Sequence, residues 1–402
     1  MFASLFGSKR ASIDRSPYGE FWFSPIGAAS AAGVRVTPDT AMRVMTVYSC
    51  VRVRSETFGM LPQRFYRKNG RNKNYSVDHP VVKLLTKRPN RFQNVLQFRE
   101  NIEVHLSLRG NFYAQIIVNG RGDIVELLPL NPDKIRIIIH TDGNYSYSYS
   151  DISGKVIHFS RSEIWHIKGL APDYYKGYSP IELARDAVGI PLAAQQYSAR
   201  FFKNDARPSG GWIEHPGSFK DKEQKNSFRD AWQESQSGAN RGKTAILEFG
   251  MKYHELGMTN ADAQFIETQR WSVEELARLF AVPPHRIGHL DKATNNNIEH
   301  QGMEFINYTM LSITMRYEHS IIADLFFDDD AIEVETSFDV LSRGDSKSRA
   351  EYYKSGVLTG WLTRNEAREN EGKQSLPGLD EPLVPLNMAP DSELEDKEKN
   401  EK

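Results

Sequence analysis

At 402 residues, 39% of them hydrophobic and 26% charged, the chain is long enough for two or more packed units rather than one compact core. Lys and Arg total 51 against 52 Asp and Glu, so the whole chain lacks the cation excess that tight non-specific nucleic-acid binding requires. Cys50 is the single cysteine, which excludes an intrachain disulfide, and no apolar run approaches the roughly 18 residues of a membrane span.

The N-terminus, M-F-A-S-L-F-G-S-K-R, carries its charges after the apolar stretch, the wrong order for a secretory signal. Residues 1–33, rich in Ser, Gly, Ala and Pro without a sustained period, read as a mobile arm. A helix is expected over 38–59, capped by Thr37 with Pro38 in its first position. Pro62 to Tyr75 then places Arg64, Arg67, Lys68, Arg71 and Lys73 around the turn signal Asn69-Gly70. This basic hairpin reads as a solvated edge, with phosphate contact as the alternative. From Asn111 to Lys168 the chain reads as a β-meander, punctuated by Asn119-Gly120, Asp142-Gly143 and Ser153-Gly154.

Ser179-Pro180-Ile181-Glu182 is a capping box with proline in the first helical position, so a helix starts there, and Pro191 is expected to kink it near its midpoint. A small unit follows, with a strand near 211–214, a helix from Ser218 to about Ser235, and strands at Lys243–Phe249 and Lys252–Leu256. The helix has few apolar residues, chiefly Phe228 and Trp232 at i, i+4, so most of its surface is wet or meets a partner. A second helical segment spans Thr259 to Ala281, with a further capping box at Ser272-Val273-Glu274-Glu275, and Pro283-Pro284 ends it. Beyond a polar loop, a long helix runs from about Ile298 to Phe327 on the face Gly302, Ile306, Met310, Ile313, Tyr317, Ile321 and Leu325. A strand at Ala331–Thr336, helices around Arg349–Ser355 and Thr363–Glu371, and a charged tail complete the chain.

The search for catalytic chemistry returns little. Gly238-Ala239-Asn240-Arg241-Gly242-Lys243-Thr244 looks like a phosphate-binding loop, but it has three residues between its glycines where that loop needs four. The surrounding order, helix then strand, is also the reverse of the one that aims backbone N–H groups at phosphate. His285 and His289 have i, i+4 spacing but sit behind two prolines with no glutamate between them, so no metal site is assigned. No nucleophile elbow and no dinucleotide fingerprint occurs. No cofactor is expected.

Several blocks, in order, resemble the portal proteins of tailed double-stranded DNA bacteriophages. They are R-P-N-R-F-Q (88–93), G-N-F-Y-A-Q-I (110–116), L-L-P-L-N-P-D-K-I (127–135), G-Y-S-P-I-E-L-A-R-D-A and Y-S-A-R-F-F-K-N-D-A-R-P-S-G-G-W. After these come L-E-F-G-M-K-Y, D-A-Q-F-I-E-T, E-E-L-A-R-L-F-A-V-P-P-H-R-I-G, A-T-N-N-N-I-E-H-Q and L-T-R-N-E-A-R (362–368), so the likeness covers about residues 35–375. Pro191 is a departure from that pattern. The resemblance implies a mixed α+β ring subunit of a non-enzymatic structural protein. Its parts would be a β-rich wing at 34–178, completed by a long helix and strand at 298–338, a stem of helices at 179–204 and 259–282, a small α/β clip at 205–258 and a helical crown at 339–390. Residues 391–402 would be a disordered tail.

The same resemblance implies a cyclic homo-oligomer, commonly a dodecamer, at one capsid vertex. Double-stranded DNA would pass through its axis during packaging and ejection, after assembly in the host cytoplasm and without any membrane. Terminase and head-completion or tail connector proteins would dock on the clip, where Lys222, Phe228, Arg229 and Trp232 are the candidate contacts. Scaffold and major capsid protein would meet the wing. The loop 283–297 would project into the channel, presenting His285, Arg286, His289, Lys292, Asn295, Asn296 and Asn297. The alternatives are another head-morphogenesis or minor capsid protein, and a nucleotide-binding enzyme using the 238–244 loop.

Overall fold

The structure is a computed structural model that describes residues 29–69, 72–75, 77–203, 211–214, 216–217, 221–235, 247, 250–255, 261–290, 302–326, 329, 331–338, 340–341 and 346–383. The chain divides into two units, one of residues 1–60 and 65–335, the other of residues 61–64 and 336–402.

In the first unit, residues 29–33, expected to belong to the mobile arm, form with Val34 and Arg35 a tight turn closed by a bridge between Ala29 and Arg35. Ser30 is buried there, and the Ala31 N–H donates to Asp186 Oδ1 at 2.8 Å. Thr37 caps helix α1 (Pro38–Ala41) through a capping box with Thr40. The single helix expected over 38–59 is broken at Met42–Val44, where 3₁₀-type bonds from Arg43 to Thr40 and Val44 to Ala41 tighten the chain before α2 (Met45–Met60). Strands β1 (Gln63–Asn69) and β2 (Asn72–Asn74) pair as the expected hairpin, Asn69 opposite Asn72. Helix α3 (Pro80–Thr86) and helix α4 (Val95–Arg109) follow, the latter with a complete Asn94–Gln97 capping box and a left-handed Gly110 at its end.

The strands expected between 111 and 168 are present, six in number, but not as one meander. Strand β3 (Asn111–Val118) pairs on one side with β4 (Ile124–Leu130) and on the other with the last strand, β8 (Ile164–Lys168). Strands β5 (Ile135–Ile139), β6 (Tyr145–Ser150) and β7 (Val156–Phe159) make a separate antiparallel sheet. Burial explains the division. Phe112, Tyr113, Ala114, Trp165, His166 and Ile167 are all buried, so β3 and β8 are covered on both faces, which a sheet with one wet face does not allow. Trp165, Phe98 and Phe112 pack with ring centroids about 6 Å apart, and Trp165 meets Tyr317 at 5.8 Å. Tyr113, Leu130, Tyr147, Phe159 and Ile164 form the core shared with the second sheet.

Helix α5 (Pro180–Leu183) is a single turn capped by Ser179, and α6 (Arg185–Lys203) runs unbroken through Pro191. A break between the two helices falls at Ala184, with φ −97° and ψ 27°. Two contacts lie just beyond the break. Asp186 holds the 29–35 turn, and Gly189 lies so close to Ser30 that a Cβ would come within 2.3 Å of its hydroxyl. Strand β9 (Gly211–Glu214), helix α7 (Lys222–Ser235) and strand β10 (Lys252–Glu255) build the expected small α/β unit, β9 pairing antiparallel with β10. The proposed strand at 243–249 and the glycine-rich loop at 238–244 lie outside the described residues, apart from Leu247.

Helix α8 (Ala261–Leu279) continues through Ser272, so the second capping box marks no helix start. Ser272 is buried mid-helix, and a capping box works only where the backbone before it is not helical. The long helix is described from Gly302, is π-helical over Phe305–Met310 and continues as α9 (Leu311–Leu325). Its predicted face is buried at Met310, Ile313, Tyr317, Ile321 and Leu325. Strand β11 (Ile332–Thr336) joins the β1–β2 hairpin on the β1 side. In the second unit, α10 (Ser346–Leu358) and α11 (Arg364–Asn370) are tied by an Arg349–Glu371 ion pair at 3.1 Å. The Asn365 side chain pins the following loop through Leu376 O and Asp380.

Candidate functional site

Residues 283–290, the described part of the proposed channel loop, are an ordered turn. Pro283 enters a 3₁₀ helix at Pro284–Ile287, and left-handed Gly288, with φ +83°, closes it through the His289 N–H to Pro284 O bond at 3.0 Å. His285 and His289 are half-buried. Arg286 is exposed as a residue, yet its guanidinium lies over the Phe305 ring at 5.2 Å, and partial burial pulls its pKa down from the usual arginine value. Lys292, Asn295, Asn296 and Asn297 lie outside the described residues. Among the described residues no group of three or more His, Cys, Asp or Glu side chains is placed to hold a metal ion, and no helix is long and apolar enough to cross a membrane.

The backbone around this turn holds a feature that no sequence signal marked. Ala281, just past the end of α8, has φ +51°, and the Val282 N–H donates back to Ala277 O at 2.9 Å. This is a left-handed helix end of the kind glycine normally supplies. Thr309 Oγ1 donates to Ala281 O at 2.7 Å, and Arg54 Nη1 donates to Phe280 O at 2.8 Å. Arg54 is itself fixed by Glu103, fully buried, through a 2.8 Å bond from Nε.

In the small α/β unit, Gln224 N–H is capped by Asp221 at 2.7 Å, which starts α7. Lys222 and Arg229 are exposed, Arg229 beside Asp230 at 3.1 Å, whereas Phe228 and Trp232 are half-buried one turn apart. The wet helix expected from composition is therefore present, with its two aromatics on one side.

Three cations of the basic hairpin are paired within the chain. Arg67 pairs with Asp329, Lys68 with Glu333 at 3.3 Å and Lys73 with Glu335, while Tyr66 O–H donates to Glu333 at 2.9 Å. The Tyr66 and then the Lys68 hydrogen bonds hold the Glu333 carboxyl below its ordinary value, and the Glu335 carboxylate raises the Lys73 ammonium. These cations face carboxylates from β11 and the residues before it. Arg71 lies outside the described residues.

A family model described as "Phage portal protein" matches residues 45–372. The chain belongs to the phage portal protein family. Among portal relatives, it is 30% identical over 381 residues to the portal protein of Enterobacteria phage HK97, covering 92% of this chain and 89% of that one. It is 31% identical over 379 residues to a probable portal protein of Streptomyces phage phiC31, covering 90% and 82%. Of solved structures, it is similar to a chain from the neck of a native gene transfer agent particle computed with C12 symmetry. That match has TM-score 0.58 and 25% identity, over 84% of this chain and 94% of that one. The crystal structure of an HK97-family phage portal protein from Corynebacterium diphtheriae has the same fold, with TM-score 0.56 and 14% identity over 75% and 94%.

Two of the sequence blocks that resemble portal proteins meet in space. Gly110 lies against the 169–178 loop so closely that a Cβ would sit 1.6 Å from Tyr178 O, and Gly169 N–H donates to Gly110 O at 2.8 Å. The G-N-F-Y and G-Y-S-P blocks of this portal chain thus form one packed joint, in which only glycine fits.

Proposed function

We propose that the chain assembles with identical copies into a closed ring at one vertex of a phage-type capsid, and that double-stranded DNA passes along the ring axis during packaging and ejection. The observation that carries this reading is the family match over residues 45–372 joined to a near full-length likeness to a chain in a particle neck of C12 symmetry. The role is structural rather than catalytic, and its place is the virion, after assembly in the host cytoplasm.

Near-neutral overall charge supports a conduit, because each added phosphate contact makes binding tighter and steeper in salt, and a ring of such sites would hold DNA fast. The pairing of the basic hairpin with Asp329, Glu333 and Glu335 acts in the same direction. On this reading residues 283–297 reach toward the axis and Arg286 and Lys292 touch phosphate transiently. The α7 unit receives terminase during packaging and head-completion or tail proteins afterwards, with Lys222 and Arg229 as its accessible charges. Scaffold and major capsid protein meet the β-rich part of the first unit.

Electron microscopy and native mass measurement of the purified full-length chain test the reading. A closed ring, formed without metal or nucleotide, is expected. A monomer that persists across a wide concentration range overturns it. Within that ring, changing Lys222 and Arg229 to Glu is expected to leave assembly intact and weaken terminase binding.

A further inference from the structure

The end of α8 and the start of the long helix both depart from regular backbone, and they do so where they touch. Ala281 is the one non-glycine residue among the described residues with positive φ, a conformation that an L side chain keeps only when its surroundings impose it. Opposite it, Phe305–Met310 is π-helical, the Leu311 N–H reaching back five residues to Ile306 O. Such a turn is rare and occurs mostly as a single turn inside an α-helix, often at functional sites.

The contacts that hold both departures are specific. Thr309, inside the π turn, donates its hydroxyl to Ala281 O, and Arg54 donates to the carbonyl one residue earlier. Ser312 Oγ occupies Thr309 O at 2.9 Å and so competes for an acceptor of the helix ladder. Beside the Thr309 bridge lies a groove of about 500 Å³, lined by Ala277, Ala281, Pro284, Phe305, Tyr308 and others, into which the exposed Tyr308 of the π turn can swing. On the far side, Ile313, Tyr317 and Ile321 are buried, so α9 is fixed.

We propose that left-handed Ala281 and the π turn are the two halves of one conformational latch with two backbone registers. In the latched register, the one described, Thr309 bonds Ala281. In the released register Phe305–Met310 winds as α-helix. Because α9 cannot turn, the rewinding rotates the preceding residues by about 100°, one residue's share of an α turn. Thr309 then leaves Ala281 O, and Phe305 leaves the Arg286 guanidinium. Ala281 relaxes to the right-handed region, and the Val282 N–H to Ala277 O bond, which belongs to the left-handed helix end, is lost. The latch sets where His285 and Arg286 stand. That this steers DNA rests on the channel-loop reading above, whereas the latch itself stands on geometry within one chain.

Site-resolved hydrogen exchange on the full-length protein, without DNA, tests it. Thr309→Val keeps the shape and removes the donor. The Val282 amide is expected to exchange about tenfold faster, the equivalent of one lost hydrogen bond. The amides of Met310 and Leu311 are expected to slow by about threefold as the regular i to i−4 ladder of α9 extends through the rare π turn. Thr309→Ser, which restores a hydroxyl, is expected to match the parent. A merely structural contact predicts faster exchange in both segments, and that result, or no change in either, overturns the proposal. Ala281→Gly decides independently if Thr309→Val does not assemble. Glycine favours the latched register, so Val282 is expected to exchange at least about threefold more slowly, and unchanged or faster exchange there overturns the latch.

Discussion

Asn111 and Gly177 hold each other through both of their amide groups: Gly177 N–H donates to Asn111 Oδ1 at 2.8 Å, and Asn111 Nδ2 donates to Gly177 O at 2.9 Å. Asn111 Nδ2 also serves Arg109 O, and Oδ1 accepts from His166 Nε2 at 3.1 Å, so the side chain is saturated although 1% exposed. Because both donor hydrogens are spent on carbonyls, His166 must carry its proton on Nε2, leaving Nδ1 to accept from Tyr147 O–H. Asn111→Ala is expected to cost about 3 kcal/mol or more, since it leaves a buried N–H and a buried C=O unpaired together. The urea midpoint of the purified protein measures this, and a loss below about 1 kcal/mol contradicts the joint described.

Gly110→Ala concerns the same joint from the backbone side. A Cβ there meets Tyr178 O at 1.6 Å with φ at +68°, and neither partner is a side chain that can swing away. Destabilisation of at least about 2 kcal/mol is expected, with the 169–178 loop becoming sensitive to protease before the rest of the first unit. Gly120, with open space around it, is the control, and Gly120→Ala is expected to change stability by no more than about 0.5 kcal/mol.

Acid is expected to weaken the first unit through His105. Its ring is largely buried against Phe112, its Nδ1 finds no hydrogen-bond partner, and burial, with Arg109 nearby, lowers its pKa from 6.5 to about 4, Asp133 opposing weakly. A histidine whose folded pKa is depressed contributes its full stability above the unfolded value. It loses that contribution as pH falls from about 6.5 toward 4, where the unfolded chain binds a proton that the folded chain refuses. The loss is about 3 kcal/mol at most over that window. His166, fully buried and shifted the same way, adds to the slope. Stability measured against pH should therefore flatten, though not become level, in His105→Gln. An identical slope in variant and parent removes His105 from the account.

The hairpin pairing predicts a gain of function. With Glu333→Gln and Glu335→Gln, Lys68 and Lys73 lose their partners, and Arg67 keeps Asp329. Exposed pairs of this kind contribute roughly 0–1 kcal/mol each, so folding should change little. Affinity for double-stranded DNA at low salt should rise, and the slope of log affinity against log salt should steepen by about one unit for each freed cation that finds a phosphate. DNA titrations at several salt concentrations check this. No change in slope means the hairpin lies away from DNA.

For the channel loop, Arg286→Ser with Lys292→Ser is expected to preserve ring assembly and to reduce DNA packaging or retention, most at low ionic strength, where weak phosphate contacts are least screened. Loss of the Arg286 contact with Phe305 should cost no more than about 1 kcal/mol of stability. Packaging equal to the parent at every salt concentration would falsify the assignment of this loop to DNA.

The sequence by itself determined the elements whose causes are local. The Thr37 and Ser179 caps, the helix near Thr363–Glu371, the β1–β2 pairing of Asn69 with Asn72, the strands between Asn111 and Lys168, and the apolar face from Met310 to Leu325 all follow from short-range geometry and periodicity. The blocks that resemble portal proteins carried the family. What only the tertiary structure decided are the matters set by groups far apart in the chain. The 111–168 strands divide into two sheets because β8 returns to β3 to bury Trp165. Three hairpin cations are paired with carboxylates of 329–335, more than 250 residues later, for which no spacing rule exists. Ser272 caps nothing because the helix before it continues, and the α5–α6 break lies at Ala184, beside the contact of Ser30 with Gly189. Ala281 is the clearest instance. An alanine is not the residue that favours a left-handed helix end, and Thr309 and Arg54, each reaching from another helix, bind the carbonyls of Ala281 and Phe280 beside that turn.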